Sequence, residues 1–177
     1  MPDQLRMLPS LGFALKFMAL FGLLMGAFEA ARGSAVERFV VEDLILKPTV
    51  AVIDRLAPAE LVTLSDRTLI SPGSRLHVTR GCEGIEMFLM LGAAILAFPA
   101  TAKQRLQGLA VGAVIAYVLS LSRLIALHFI LRYSPAAWEA LHGLILPLGP
   151  IVLLAVYFRY WTLSLDRPAT ARPVHAA

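Results

Sequence analysis

The sequence predicts an all-α integral membrane protein with about four transmembrane helices, on three observations. The 177 residues are 58% hydrophobic and only 16% charged, with mean hydropathy +0.74, too apolar for an ordinary soluble domain. Four separate stretches approach the length of about 20 helical residues that crosses a hydrocarbon core of about 30 Å. Lysine and arginine gather in the loops and at the ends of those stretches, where they set topology. The net charge of +4 is therefore a topology signal and not a nucleic-acid surface. A single cysteine excludes an internal disulfide and any zinc or redox pair built on two thiols.

The expected spans are residues 11–30, 84–102, 109–131 and 141–163 of one polytopic domain, residues 1–165. The first lacks a clear small-x-small cleavage site and three further spans follow it, so it reads as a retained anchor. Arg6 and Lys16 flank the first span, Lys103 and Arg105 fill the turn between the second and third, and Arg159, Arg167 and Arg172 end or follow the fourth. By the positive-inside rule both termini and that turn are cytoplasmic. Residues 31–81 are then extracytoplasmic.

That outer segment carries structure signals of its own. Ser34-Ala35-Val36-Glu37 reads as a capping box. Val36, Val40 and Leu44 recur at helical spacing with Phe39 beside them, predicting an amphipathic helix on the outer surface. Pro48 is expected to end it, and Thr49 to cap a second stretch over residues 50–56. Ser71-Pro72-Gly73-Ser74 is turn chemistry. Residues 75–79 alternate polar and apolar as a short strand would, delivering Cys82 to the membrane edge. Residues 166–177, with His175, read as a disordered cytoplasmic tail.

Three residues stand out chemically. Cys82 opens the second span in Gly81-Cys82-Glu83-Gly84-Ile85-Glu86. A free cysteine is often a small packed apolar residue. Here Gly81 and Gly84 permit close backbone approach or present amide donors, and a helix start favours the thiolate. Arg123 lies inside the third span, about 12 Å from its outer end at about 1.5 Å per residue. There an arginine costs about 2.5–3.5 kcal/mol on the insertion scale. It either snorkels or pairs with Glu86, or it serves a function: holding a carboxylate or stabilising an oxyanion. His142 opens the fourth span beside Trp138 and Glu139, and an imidazole suits acid–base work. His128 competes for that role but sits well round its helix from Arg123. His77 lies in the outer segment and is a weaker candidate. Glu86, four residues after Cys82, shares a face with it if the helix already includes the cysteine. Its carboxylate would hold Arg123 or His142, or else raise the thiol's pKa.

In this order the cysteine segment, Leu119-Ser120-Leu121-Ser122-Arg123-Leu124-Ile125 and Trp138-Glu139-Ala140-Leu141-His142 resemble the exosortase/archaeosortase family of multi-spanning membrane proteins. The Cys-x-Gly-x-Glu form and the short layout look most like the exosortase H type. The resemblance covers roughly residues 76–161. Many relatives carry asparagine three residues before the arginine, where this chain has Ser120, which reaches less far to support Arg123. The resemblance implies a cysteine transpeptidase, free of metal and cofactor, in a cell inner membrane. It would act on secreted proteins bearing a short C-terminal motif, a membrane span and a basic tail. Cys82 would be the nucleophile, His142 the acid–base and Arg123 the electrostatic support, with Glu86, Ser120, Gly81 and Gly84 assisting. A small transporter or channel subunit using Glu86 and Arg123 is the competing reading, followed by a non-catalytic assembly factor. Neither of those requires the thiol.

Overall fold

The computed structural model describes residues 11–79 and 81–165. Arg6, Arg80, Arg167, Arg172, His175 and the tail expected over residues 166–177 lie outside the described residues.

The chain is mostly helical. Among the described residues three helices are long and apolar enough to cross a bilayer: Leu11–Ala30, Ala102–Tyr133 and Pro135–Leu165. The first, α1 (Leu11–Ala30), buries no residue within the protein, as befits a helix whose surroundings are hydrocarbon.

The second expected span departs from the prediction. Residues 84–102 are helical only over α4 (Ile85–Ala97), about 20 Å at about 1.5 Å per residue. Pro99 explains the early stop. Its ring excludes the helical conformation at the preceding residue, and Phe98 is extended at φ −72° and ψ 139°. Arg105 Nη2 donates to the Phe98 carbonyl at 3.1 Å, placing a cation at the helix's negative end.

Thr101 then caps α5 (Ala102–Tyr133) in a reciprocal box with Gln104. At 32 residues α5 is about 48 Å long, well beyond what a bilayer requires. Its far end therefore carries surface for residues 31–79, here called the cap. The chain returns through a 3-10 turn (Pro135–Ala137), α6 (Trp138–Ala140), a π-helical stretch (Leu141–Ile145) and α7 (Leu146–Leu165).

The cap departs from the sequence reading in two ways. First, Pro48 does not end its helix. α2 (Ala35–Arg38) runs into a π-helical stretch (Phe39–Leu46) and directly on into α3 (Lys47–Leu56). The Lys47 N–H bonds five residues back, to the Glu42 carbonyl. That wider turn relieves the register in which a proline ring would strike a carbonyl. Thr49 is accordingly a buried interior residue and not a cap, its hydroxyl donating to the Ile45 carbonyl at 2.7 Å. At the start, Ser34 Oγ accepts from the Glu37 N–H at 3.3 Å. Glu37 reaches back to the Gly33 N–H at 2.6 Å, one residue short of a closed capping box.

Second, the expected single strand belongs to a three-stranded antiparallel sheet. It comprises β1 (Thr63–Ser65), β2 (Thr68–Ser71) and β3 (Ser74–His77), in that order. Pro72-Gly73 makes the second turn. The first is Asp66-Arg67, both at positive φ (45° and 58°), the conformation of a two-residue hairpin whose twist matches its strands. Cap and helices share one core, in which Ile45, Leu69 and Leu76 pack with Ile85, Leu124 and Leu127. Cys82 lies in that same core, so the cap's position and the thiol's position are set together.

Candidate active site

Cys82 sits in the turn that joins β3 to α4. Its N–H donates to the Thr79 carbonyl at 3.1 Å. Gly81 and Gly84 on either side have φ of +79° and +81°, a region that disfavours any side chain. Gly84 is constrained twice over, because a Cβ there would stand 2.3 Å from Ser120 Oγ. Gly84 is also the N-cap of α4, so the helix begins after the cysteine. Cys82 and Glu86 therefore do not share a helix face.

The thiol has two polar neighbours. His142 Nε2 stands 3.6 Å from Cys82 Sγ, and Thr79 Oγ1 stands 3.7 Å away. His142 belongs to the π-helical stretch Leu141–Ile145 and stacks flat on Trp138, with ring centroids 4.7 Å apart and planes 9° from parallel. The stack fixes the imidazole plane, leaving its Nε2 edge on the sulfur. Cys82 is only 7% exposed, while His142 is half-buried.

Arg123 is equally buried, and its Nη1 donates to the Gly81 carbonyl at 2.8 Å. It thus grips the residue before the nucleophile candidate, across from α5. Its Nε is buried with no hydrogen-bond partner among the described residues. Neither expected support reaches it. Glu86 forms no ion pair with Arg123 or His142 among the described residues; its carboxylate points toward Gly81. Ser120 is fully buried, its hydroxyl without a hydrogen-bond partner among the described residues. It packs beneath Gly84 in place of bonding the guanidinium.

Further residues emerge only in three dimensions. Arg67, at the hairpin tip, pairs with Glu37 at 3.0 Å and stands 3.8 Å from Glu42 and 3.9 Å from Glu83, beside the cysteine. The Gly33 N–H, with help from Arg67, holds the Glu37 carboxyl below its ordinary range. His128 is occupied elsewhere. It is fully buried, with Nε2 3.6 Å from Glu60 Oε2. Glu60 also accepts from the Tyr133 hydroxyl and stands 3.5 Å from Arg132 Nε. The Tyr133 hydrogen bond, reinforced by the charge of Arg132, holds the Glu60 carboxyl below its ordinary range. Of these partners, Trp138, four residues before His142, and Arg132, four after His128 on α5, had a readable spacing. Among the described residues no three His, Cys, Asp or Glu side chains are grouped to hold a metal ion.

A thiol beside an oriented imidazole, next to a buried guanidinium with a spare donor, has the parts for nucleophilic acyl transfer. A family model described as Transmembrane exosortase (Exosortase_EpsH) matches residues 6–158. No curated protein and no solved structure matches the chain.

Proposed function

The chain belongs to the transmembrane exosortase family, and we propose that it is a membrane-embedded cysteine transpeptidase acting on the C-terminal sorting signals of secreted proteins. The observation that carries this reading is the 3.6 Å approach of His142 Nε2 to Cys82 Sγ, between residues sixty positions apart on different elements.

The chemistry follows from that pair. His142 Nε2 takes the thiol proton as sulfur attacks the scissile carbonyl carbon, giving a tetrahedral oxyanion. Collapse breaks the C–N bond, and the imidazolium returns its proton to the departing amine. The amino-terminal part of the substrate is then a thioester on Cys82. An acceptor amine displaces the thiol and completes transfer, whereas water would complete hydrolysis. Arg123 holds the cysteine turn through Gly81, and its Nε, buried and without a hydrogen-bond partner among the described residues, is in this reading the donor that the peptide or its oxyanion engages once it enters the site.

Depth supports an action at the membrane boundary. Arg123 lies about 31 Å along α5 from Ala102 at about 1.5 Å per residue, roughly the hydrocarbon thickness. With Lys103 and Arg105 cytoplasmic and α4 counted as a short fourth crossing, the site opens at the outer face of a cell inner membrane and both termini lie inside. A reporter active only in the cytoplasm is expected to work when fused after Ala177 and stay silent when inserted near Gly73. The opposite pattern removes the site's access to secreted proteins. The channel reading draws no support from the geometry, since Arg123 is engaged by Gly81 and not by Glu86.

The catalytic test is substitution of the sulfur. Cys82→Ala and Cys82→Ser are expected to abolish processing of a co-expressed reporter bearing a sorting motif, a membrane span and a basic tail, with membrane insertion intact. Processing retained in Cys82→Ala overturns the mechanism.

A further inference from the structure

β3 is an edge strand that leads straight to the nucleophile. Its pairing places Ser71 opposite Ser74 across a two-residue turn and Leu69 opposite Leu76, and the Val78 N–H bonds the Arg67 carbonyl at 2.9 Å. In an antiparallel ladder hydrogen-bonded and non-bonded positions alternate. Ser74, Leu76 and Val78 therefore direct their backbone groups to β2, and Arg75, His77 and Thr79 direct theirs away. The Thr79 carbonyl is used by Cys82. The backbone groups of Arg75 and His77 have no partner among the described residues. Their side chains are exposed while Leu76 and Val78 are buried, so one face of the sheet packs on the core and the outward-directed backbone groups of β3 carry no strand partner among the described residues. Beside the lower end of β3, on the side where Arg67 pairs with Val78, lies a cleft of about 360 Å³ lined by Arg67, His77, Val78, Thr79 and Glu83. Two of those residues flank Cys82.

We propose that this edge binds the substrate: the extended stretch on the amino side of the scissile bond pairs with β3 as a fourth strand and brings the scissile carbonyl to Cys82. The inference rests on the transpeptidase reading and specifies how that site holds its peptide. Main-chain pairing to a sheet edge supplies affinity without demanding one sequence, and pockets for alternate side chains supply the selection. Direction follows from the chain path. β3 descends toward Cys82 and α4, and a substrate whose membrane span lies beyond its scissile bond descends the same way, so the added strand is parallel. One substrate residue, opposite Leu76, then donates to the Arg75 carbonyl and accepts from the His77 N–H. Its immediate neighbours turn their backbone groups outward, and the residue two further on, opposite Val78, donates to the His77 carbonyl next to the reacting bond. An open edge invites aggregation unless it is short or charged. β3 has only four residues and carries Arg75, which guards it without filling it.

The test removes one edge donor. His77→Pro deletes an N–H that plays no part in the β2–β3 ladder, a position where an edge strand tolerates proline. The full-length protein in proteoliposomes is assayed with the sorting-signal reporter. Relative to His77→Ala, which keeps the N–H, His77→Pro is expected to raise KM by about 3- to 10-fold with kcat within about twofold. A wild-type rate of Cys82 alkylation by a maleimide shows that the turn is intact. If His77→Pro fails to fold, a proline scan of the reporter on the amino side of its scissile bond decides instead. Loss of cleavage at alternate positions supports the added strand, and loss without that period overturns it. Equal KM in the two His77 variants, with the reporter still cleaved, overturns the edge proposal alone. A wild-type protein that leaves the reporter uncut overturns the transpeptidase reading, and this proposal falls with it.

Discussion

Two histidines stand near the cap end of the helices, and their surroundings differ. His142 is half-buried, stacked on Trp138 and turned toward a thiol. His128 is fully enclosed, facing a carboxylate that Tyr133 and Arg132 also engage. The first has a thiol in reach and, in the proposed mechanism, exchanges a proton with it and with an arriving substrate. Among the described residues the second faces only a carboxylate cluster. Glu60 lies in the cap and the other members of its cluster lie on α5, so that cluster fastens the cap over the helices. What separates a chemical histidine from an architectural one here is the neighbour it is held against, not its depth in the sequence pattern.

Substitutions should split the two regions. His142→Ala is expected to slow thioester formation by about 10²–10⁴-fold, the usual contribution of a positioned base, as single-turnover trapping of the acyl-enzyme would measure. An effect below about tenfold would remove the distinction between the histidines. Arg123→Ala should come next, losing about 10²–10³-fold if its spare donor serves the oxyanion. Arg123→Lys should lose most of the activity too, because a point charge replaces a planar fork of donors. Near-normal turnover in Arg123→Ala would reduce this residue to a support for Gly81.

On the architectural side the readout changes. His128→Ala is expected to leave thioester formation per folded molecule little altered while lowering stability by about 1–3 kcal/mol, seen as earlier thermal unfolding in detergent. A catalytic collapse with unchanged stability would reverse the assignment. The smallest effect concerns pH. Because the folded protein holds the Glu60 carboxyl below its ordinary value, the ionised group stabilises the fold above about pH 4.3. That contribution is lost as pH falls further, through the folded value. Glu60→Gln should flatten this acid limb of stability, and an unchanged limb would place the acid sensitivity elsewhere.

The helices were legible because burial in hydrocarbon imposes a composition that a single sequence displays. α1 and the long hydrophobic runs around Arg123 and after His142 are of this kind. α4 was overextended because apolar content runs on past Pro99, where backbone sterics and not hydropathy stop the helix. The Asp66-Arg67 hairpin lacks the glycine or asparagine that positive φ usually selects, so β1 and β2 left no turn signature. Pro48 misled for the converse reason, since a π-helical register is not written in composition. At the site, the thiol, guanidinium and imidazole were readable as residue types out of place. Their partners were not. Glu86 and Ser120 looked like supports at sequence spacing, yet the left-handed turn at Gly81 and Gly84 puts Cys82 outside the helix and Ser120 under a glycine. Long-range contacts such as Arg67 with Glu37 and Glu83 have no local pattern to betray them.

The most direct measurement of the central claim is mass spectrometry of the protein after a single turnover with the sorting-signal reporter, before and after hydroxylamine. A substrate-derived adduct on Cys82 that hydroxylamine releases is expected, present in His128→Ala, much diminished in His142→Ala and absent from Cys82→Ala. Cleavage of the reporter with no adduct on Cys82, or an adduct that forms at the wild-type rate in His142→Ala, would contradict that claim.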